Sequence, residues 1–150
     1  MASGVLLLVD ALAVLYRSFF AIRDLSTADG RPTNALYGFV RKLRQMREHW
    51  QPSHLAVVFD GGLPEERTAL LEEYKAQRPA MPDPLAEQLP LVDEYLGLAA
   101  VPSLRVAGEE ADDVIATLAC RAAGDARRVL VASGDKDLYQ IGRASCRERV

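Results

Sequence analysis

Val5-Leu6-Leu7-Leu8-Val9-Asp10 is an unbroken apolar run closed by an acid. The pattern returns as Leu55-Ala56-Val57-Val58-Phe59-Asp60, and again as Val129-Leu130-Val131-Ala132 followed by Ser133-Gly134-Asp135. Apolar runs without polar alternation are expected of strands covered on both faces, as in a parallel sheet sandwiched by helices. The segments between them carry helical periodicity, so the fold class is α/β with a parallel sheet. In such sheets ligands bind in the crevice outside the carboxyl ends of the strands, where all three aspartates fall.

A fourth acidic stretch is Gly108-Glu109-Glu110-Ala111-Asp112-Asp113-Val114-Ile115. Acids in the first turn of a helix complement its dipole by about 0.3–1 kcal/mol each. Four acids within the five positions 109–113 exceed that need, and apolar residues follow at once. Asp10, Asp60, Glu110, Asp112, Asp113, Asp135 and Asp137 are therefore candidates for one shared site, Asp137 being the weakest because a helix N-terminal acid can simply face solvent. Like charges about 4 Å apart repel by roughly 4 kcal/mol at an effective dielectric near 20, so convergence calls for cations. Carboxylate oxygens without nearby His or Cys suit hard ions, and Mg²⁺ or Mn²⁺ is the expected cofactor.

With 150 residues and 49% hydrophobic content, the chain is long enough for one domain with a real core. It has no apolar stretch long enough to span a membrane, and Met1-Ala2-Ser3-Gly4 lacks the basic region of a signal peptide. Cys120 and Cys146 form neither a disulfide framework nor a metal motif, so a cytoplasmic location is expected. The net charge of −3 argues against a simple basic nucleic-acid binder. Residues 142–150 hold three arginines and one glutamate; without them 15 cations face 20 acids, and without the seven candidate ligands 15 face 13. The acid is concentrated, and the rest of the surface is mildly basic enough to meet a polyanion.

Leu12 to Ile22 reads as a helix, and Asn34 is placed to cap the next. In that second helix Leu36, Phe39, Val40, Leu43, Met46 and Trp50 share a face, Arg41, Arg44, Arg47 and Glu48 take the others, and Pro52 ends it. Gly61-Gly62 permits a sharp turn after Asp60. Residues 64–84 are charged, helical in propensity over 65–74, then broken by Pro79, Pro82 and Pro84, and are expected to be exposed. A helix from Leu85 to Leu96 with an irregularity at Pro90, a short strand at Leu104–Val106, and a helix whose apolar face is Val114, Ile115, Leu118, Ala119 and Ala122 complete the reading.

Lys75 and Arg78, with Tyr74 beside them, are a solvated helix end when seen alone. Next to an acidic metal crevice they become candidates to grip a phosphate backbone, with Arg67 a less specific fourth. Arg17, two helical turns after Asp10, either shares the crevice or lies over the core surface. No dinucleotide or P-loop glycine motif occurs, no nucleophile elbow surrounds Ser133, and neither His49 nor His54 has a partner at ligand spacing.

Val9-Asp10 with Tyr16-Arg17, Val58-Phe59-Asp60, Tyr74-Lys75 through Arg78-Pro79 to Met81-Pro82, Gly108 to Ile115, and Ser133-Gly134-Asp135-Lys136-Asp137-Leu138 together resemble, in order and spacing, the bacterial 5′-nuclease family. The chain looks like the N-terminal part of the 5′ to 3′ exonuclease domain found in DNA polymerase I, related to flap endonucleases. The resemblance covers residues 5 to about 141. It implies a PIN-like, resolvase-like parallel-sheet domain with a helical arch, matched by residues 64–84, over the active site. It implies metal ligation by the same seven carboxylates and phosphate steering by Lys75 and Arg78, with Tyr74 beside them and Arg17 in the first helix. The implied activity is two-metal hydrolysis of DNA phosphodiesters at 5′ flaps, nicks or 5′ ends during replication and repair, by a monomer away from membranes.

Two departures stand out. Ala11 replaces the glycine usual after the first aspartate, which crowds the turn but removes no ligand. After Ile141 the family continues into a further strand, a second pair of metal-binding aspartates and a helix-hairpin-helix element, whereas this chain reads Gly142-Arg143-Ala144-Ser145-Cys146-Arg147-Glu148-Arg149-Val150. Residues 1–141 are thus expected to form an incomplete domain and 142–150 a foreign or disordered tail. The competing readings are a catalytically incomplete DNA-binding fragment, a PIN-type ribonuclease and a receiver-like phosphoacceptor domain.

Overall fold

The computed structural model describes residues 4–62, 80–125 and 127–134. Strands β1 (Val5–Asp10), β2 (His54–Phe59), β3 (Ser103–Arg105) and β4 (Arg128–Ala132) form one sheet in the order β3-β2-β1-β4, with parallel pairings. The helices described are α1 (Ala11–Ala21), α2 (Asn34–Trp50), α3 (Asp83–Ala86), α4 (Leu89–Leu98) and α5 (Ala111–Gly124).

The apolar runs are continuous because successive side chains of a strand point to opposite faces and both faces are covered. Leu7 and Val9 of β1 enter one core, while Leu8 enters the other. Val57 and Phe59 are split from Val58 in the same way, and Leu130 and Ala132 from Val129. The first core is closed by Val14 and Leu15 of α1, Phe39, Leu43 and Met46 of α2, Leu85 of α3, and Val92 and Leu96 of α4. The second is closed by Ala111, Ile115, Ala119 and Ala122 of α5, an apolar face that largely coincides with the one expected. Each fully buried large aliphatic contributes about 1.5–3 kcal/mol, so the two cores together hold the layers in place.

Asn34 does not cap α2. It is the first residue of that helix, and its Nδ2 donates to the carbonyl oxygens of Phe19 (2.9 Å) and Ile22 (2.8 Å), satisfying the end of α1 instead. The capping of α2 comes from Gln88, whose Oε1 accepts from the Leu36 N–H at 3.0 Å. Gln88 Nε2 donates to Asn34 Oδ1 (2.9 Å) and to the Pro84 carbonyl (2.7 Å). Gln88 is wholly buried, and no described side chain leaves a buried polar atom without a partner. Helix termini have four orphan groups each, and a long amide can serve two helices at once where a local cap serves one.

The helix expected from Leu85 to Leu96 is two helices that meet at Glu87 and Gln88. Pro84 and Pro90 each lie in the first turn of their helix, where a missing N–H costs nothing, so the break precedes Pro90 instead of falling on it. Pro52 does end α2, after Gln51 turns into the left-handed region at φ 42°.

Candidate metal centre

Strand register brings the acids to one edge. Asp10 pairs with Val58 and Val9 with Ala132, so Asp10, Asp60 and Ser133 all stand at the carboxyl end of the sheet. The chain builds outward from β1 to β2 and β3 and then returns to place β4 on the other side of β1. The topological switch point therefore lies between β1 and β4, where open α/β sheets bind ligands. The order β3-β2-β1-β4 also departs from the 2-1-3 arrangement of receiver domains, which removes the phosphoacceptor reading.

Asp10 and Ser133 flank that switch point. Ser133 Oγ donates to Asp10 Oδ2 at 2.9 Å, and Asp10 Oδ1 accepts from the Ala13 N–H at 3.1 Å, capping α1. The carboxylate is 8% exposed, so these bonds hold it where one edge still meets solvent.

Asp60 is exposed, and its Oδ1 accepts from the Ala111 N–H at 2.8 Å. Glu110 occupies the N-cap position of α5 without a side-chain cap bond, and Asp60 supplies from the neighbouring strand what a local cap would. Gly61 N–H donates to the Glu109 carbonyl at 2.9 Å. A Cβ on Gly61 would lie 1.7 Å from the Val106 carbonyl oxygen, so only glycine permits this approach. The exit of β2 is thereby fastened to the entry of α5, which carries the half-buried Asp112 and the exposed Asp113 in its first turn.

Arg17 is exposed and lines a cleft of about 240 Å³ together with Ala13, Ser133 and Gly134. A Cβ on Gly134 would stand 3.8 Å from its guanidinium. Arg17 thus borders the cleft between α1, α2 and the end of β4, whose lining includes Ser133 but none of the candidate acids. Arg67, Tyr74, Lys75, Arg78, Asp135 and Asp137 lie outside the described residues, as do most of the arch segment and residues 142–150.

Among the described residues, no three carboxylates, histidines or cysteines stand together as a cage for an ion. Among the described residues the donors at this edge are oxygens only, since His49 and His54 are exposed on α2 and at the opposite, amino end of β2. That chemistry fits Mg²⁺ or Mn²⁺ better than zinc. Sequence reading had found the acids but missed Ser133 as the partner of Asp10. Gly61-Gly62 reads in the sequence as a sharp turn, and the structure adds that Gly61 is needed for the close approach of the Val106 carbonyl.

A parallel sheet covered by helices on both faces, with Asp10 and Asp60 at the carboxyl ends of adjacent strands, defines the class of fold. The chain belongs to the 5′-3′ exonuclease family, in its N-terminal resolvase-like domain, whose model matches residues 5–147. It is 46% identical over 136 residues to a 5′-3′ exonuclease of Aquifex aeolicus, covering 91% of this chain and 47% of that protein. It is 43% identical over 141 residues to DNA polymerase I of Pseudomonas aeruginosa, covering 94% of this chain and 15% of that protein. The chain thus spans about half of the exonuclease relative and a small part of the polymerase.

Solved structures agree on the fold. The T5 5′-exonuclease with bound divalent zinc has a TM-score of 0.62 at 21% identity, covering 91% of this chain and 51% of that one. The catalytic core of Rad2 in complex with DNA substrate has a TM-score of 0.54 at 17% identity, covering 93% and 42%. Among the described residues no helix is long and apolar enough to cross a membrane.

Proposed function

We propose that this chain carries the carboxylate-bearing part of a metal-dependent, structure-specific 5′ nuclease that hydrolyses DNA phosphodiesters at 5′ flaps, nicks or 5′ ends. The observation that supports it most is the fastening of Asp60 to the Ala111 N–H, which sets the acids of β2 and α5 at the same edge as Asp10. In this reading Asp10, Asp60, Glu110, Asp112, Asp113, Asp135 and Asp137 hold Mg²⁺ or Mn²⁺, two ions in the complete domain. When bound, the ions supply an activated water for in-line attack on phosphorus and charge neutralisation at the leaving oxygen.

The remaining work falls to the chain's own side chains. Arg17, Lys75 and Arg78 hold the scissile phosphate and spread its developing charge, as fixed cations do in phosphoryl transfer. Tyr74 and Arg67 contact the strand beside it. Ser133 and the α1 N-terminus orient Asp10, so that its carboxylate meets the ion in one rotamer. No nucleophilic side chain takes part. A bacterial cytoplasmic monomer working in replication and repair is the setting this chemistry implies.

The test is cleavage of a 5′-flap DNA by the purified chain in Mn²⁺, beside Asp112→Ala. Metal-dependent cutting that the substitution abolishes supports the reading. Cutting of single-stranded RNA with indifference to the flap would favour a PIN-type ribonuclease. Absence of cutting, with flap binding that survives Asp112→Ala, would leave a DNA-binding fragment.

A further inference from the structure

The chain carries a net charge of −3, yet α2 holds Arg41, Lys42, Arg44 and Arg47 against a single acid, Glu48. Arg41, Arg44 and Arg47 are exposed, and none forms an ion pair with a described carboxylate. Arg47 by itself has an ordinary explanation, because a cation in the last turn complements the helix dipole. Arg41 and Arg44 lie too far from the helix end for that. Core packing does not require them either, since α2 meets the core through Phe39, Leu43 and Met46 on the opposite side.

A second observation concerns position. Arg41 and Lys42 line the same cleft as Arg17, Ser133 and Gly134. Arg41 and Arg44 also line the adjoining shallow groove with Tyr37, and Arg44 and Arg47 the next one along, Glu48 being the one acid in each. The cations therefore form one track that starts at the cleft lined by Arg17 and Ser133, the partner of Asp10, and runs down the outer face of α2. From Arg41 to Arg47 the track is about 9 Å long at 1.5 Å per residue. A DNA strand carries one phosphate per roughly 3.4 Å of helix axis and its winding spaces them further apart in space, so this length meets about two phosphates.

We propose that the exposed face of α2 is a binding surface for the phosphate backbone of duplex DNA flanking the site of cleavage. This rests on the nuclease reading for its DNA partner. Duplex is favoured over single strand because Tyr37 is the one aromatic on that face, whereas single strands are held by successive stacking rings. The contact positions the substrate and reads no sequence.

The experiment is fluorescence anisotropy with a labelled 5′-flap duplex and a single strand of equal length. It is run in Ca²⁺ without Mg²⁺ or Mn²⁺ over a salt series, so that binding is read apart from cutting. The combined Arg41→Gln, Arg44→Gln, Arg47→Gln variant is expected to bind the duplex about tenfold more weakly, with a log–log salt slope shallower by about two. Arg31→Gln, which removes a cation already paired with Asp29, is expected to leave both unchanged. Arg44→Glu should weaken binding more than Arg44→Gln, a ranking that misfolding does not produce. Wild-type affinity and slope in the triple variant would overturn the proposal, and an equal or greater loss on single strand would overturn its duplex assignment. Failure of the wild type both to cut flaps in Mn²⁺ and to bind Mn²⁺ at all, with the track behaving as described, would sink the nuclease reading alone.

Discussion

Asp60 Oδ1 and the backbone N–H of Ala111 meet at 2.8 Å across 51 positions of sequence. One carboxylate oxygen thus caps α5 while the other belongs to the acidic edge. The two roles can be separated. Asp60→Asn keeps an acceptor for Ala111 and should change stability by less than about 0.5 kcal/mol, whereas Asp60→Ala should cost about 1 kcal/mol, as lost caps do. Thermal melts of the pair check the structural role. Both variants should lose Mn²⁺ affinity, and retention of full affinity by Asp60→Ala would remove Asp60 from the ligand set.

Metal binding should be visible as stability. A ligand that binds only the folded chain at a hundred times its dissociation constant adds about 2.7 kcal/mol. Saturating Mn²⁺ should raise the melting temperature reversibly, with EDTA restoring the lower value. Asp10→Asn should abolish most of the rise while keeping the α1 cap, because asparagine caps as well as aspartate. An undiminished rise in that variant would show that the ion sits elsewhere.

Gly61→Ala should be among the most damaging single changes on the surface of the fold. Its Cβ would overlap the Val106 carbonyl, and relieving the clash must part β2 from the turn before α5, at a cost of about 3 kcal/mol or more. Gly62→Ala meets open space and is strained only by its φ of 92°, so about 1 kcal/mol is expected there. Urea unfolding of the two variants tests the ranking, and equal losses would contradict it.

Gln88→Leu should destabilise by roughly 3 kcal/mol, because it strands the part-buried Leu36 N–H and the buried Asn34 side chain at about 1–3 kcal/mol each. The loss should appear in amide exchange as early opening of the α1–α2 junction, ahead of β1 and β4. Uniform loss of protection across the sheet would mean that the polar cluster has no local role.

How much was legible before folding differs from residue to residue. Leu6 to Val9 and Ala56 to Phe59 announced covered parallel strands because burial on both faces demands apolar residues at every position. The strand-end aspartates were legible for the same reason, since an acid can follow such a run only where the sheet meets solvent. Asn34 misled because its local context suits an N-cap, while its actual partners, Phe19, Ile22 and Gln88, are set by packing. The break between α3 and α4 was nearly visible in Pro90 and misplaced by two residues, because a proline opening a helix and one kinking it look alike in a string.

By itself, the sequence determined that the apolar runs ending at Val9, Phe59 and Ala132 would be strands of a parallel sheet, and that Asp10 and Asp60 would stand at its carboxyl edge. These follow from periodicity and polarity, which are local properties of the chain. Only the tertiary structure decided that β4 would lie against β1, that Ser133 would hold Asp10, that Asp60 would cap α5, and that the cations of α2 would continue the cleft beside Arg17. Each of those joins residues far apart in the chain. Their free energy arises from hydrogen bonds and burial that exist only once the layers have packed.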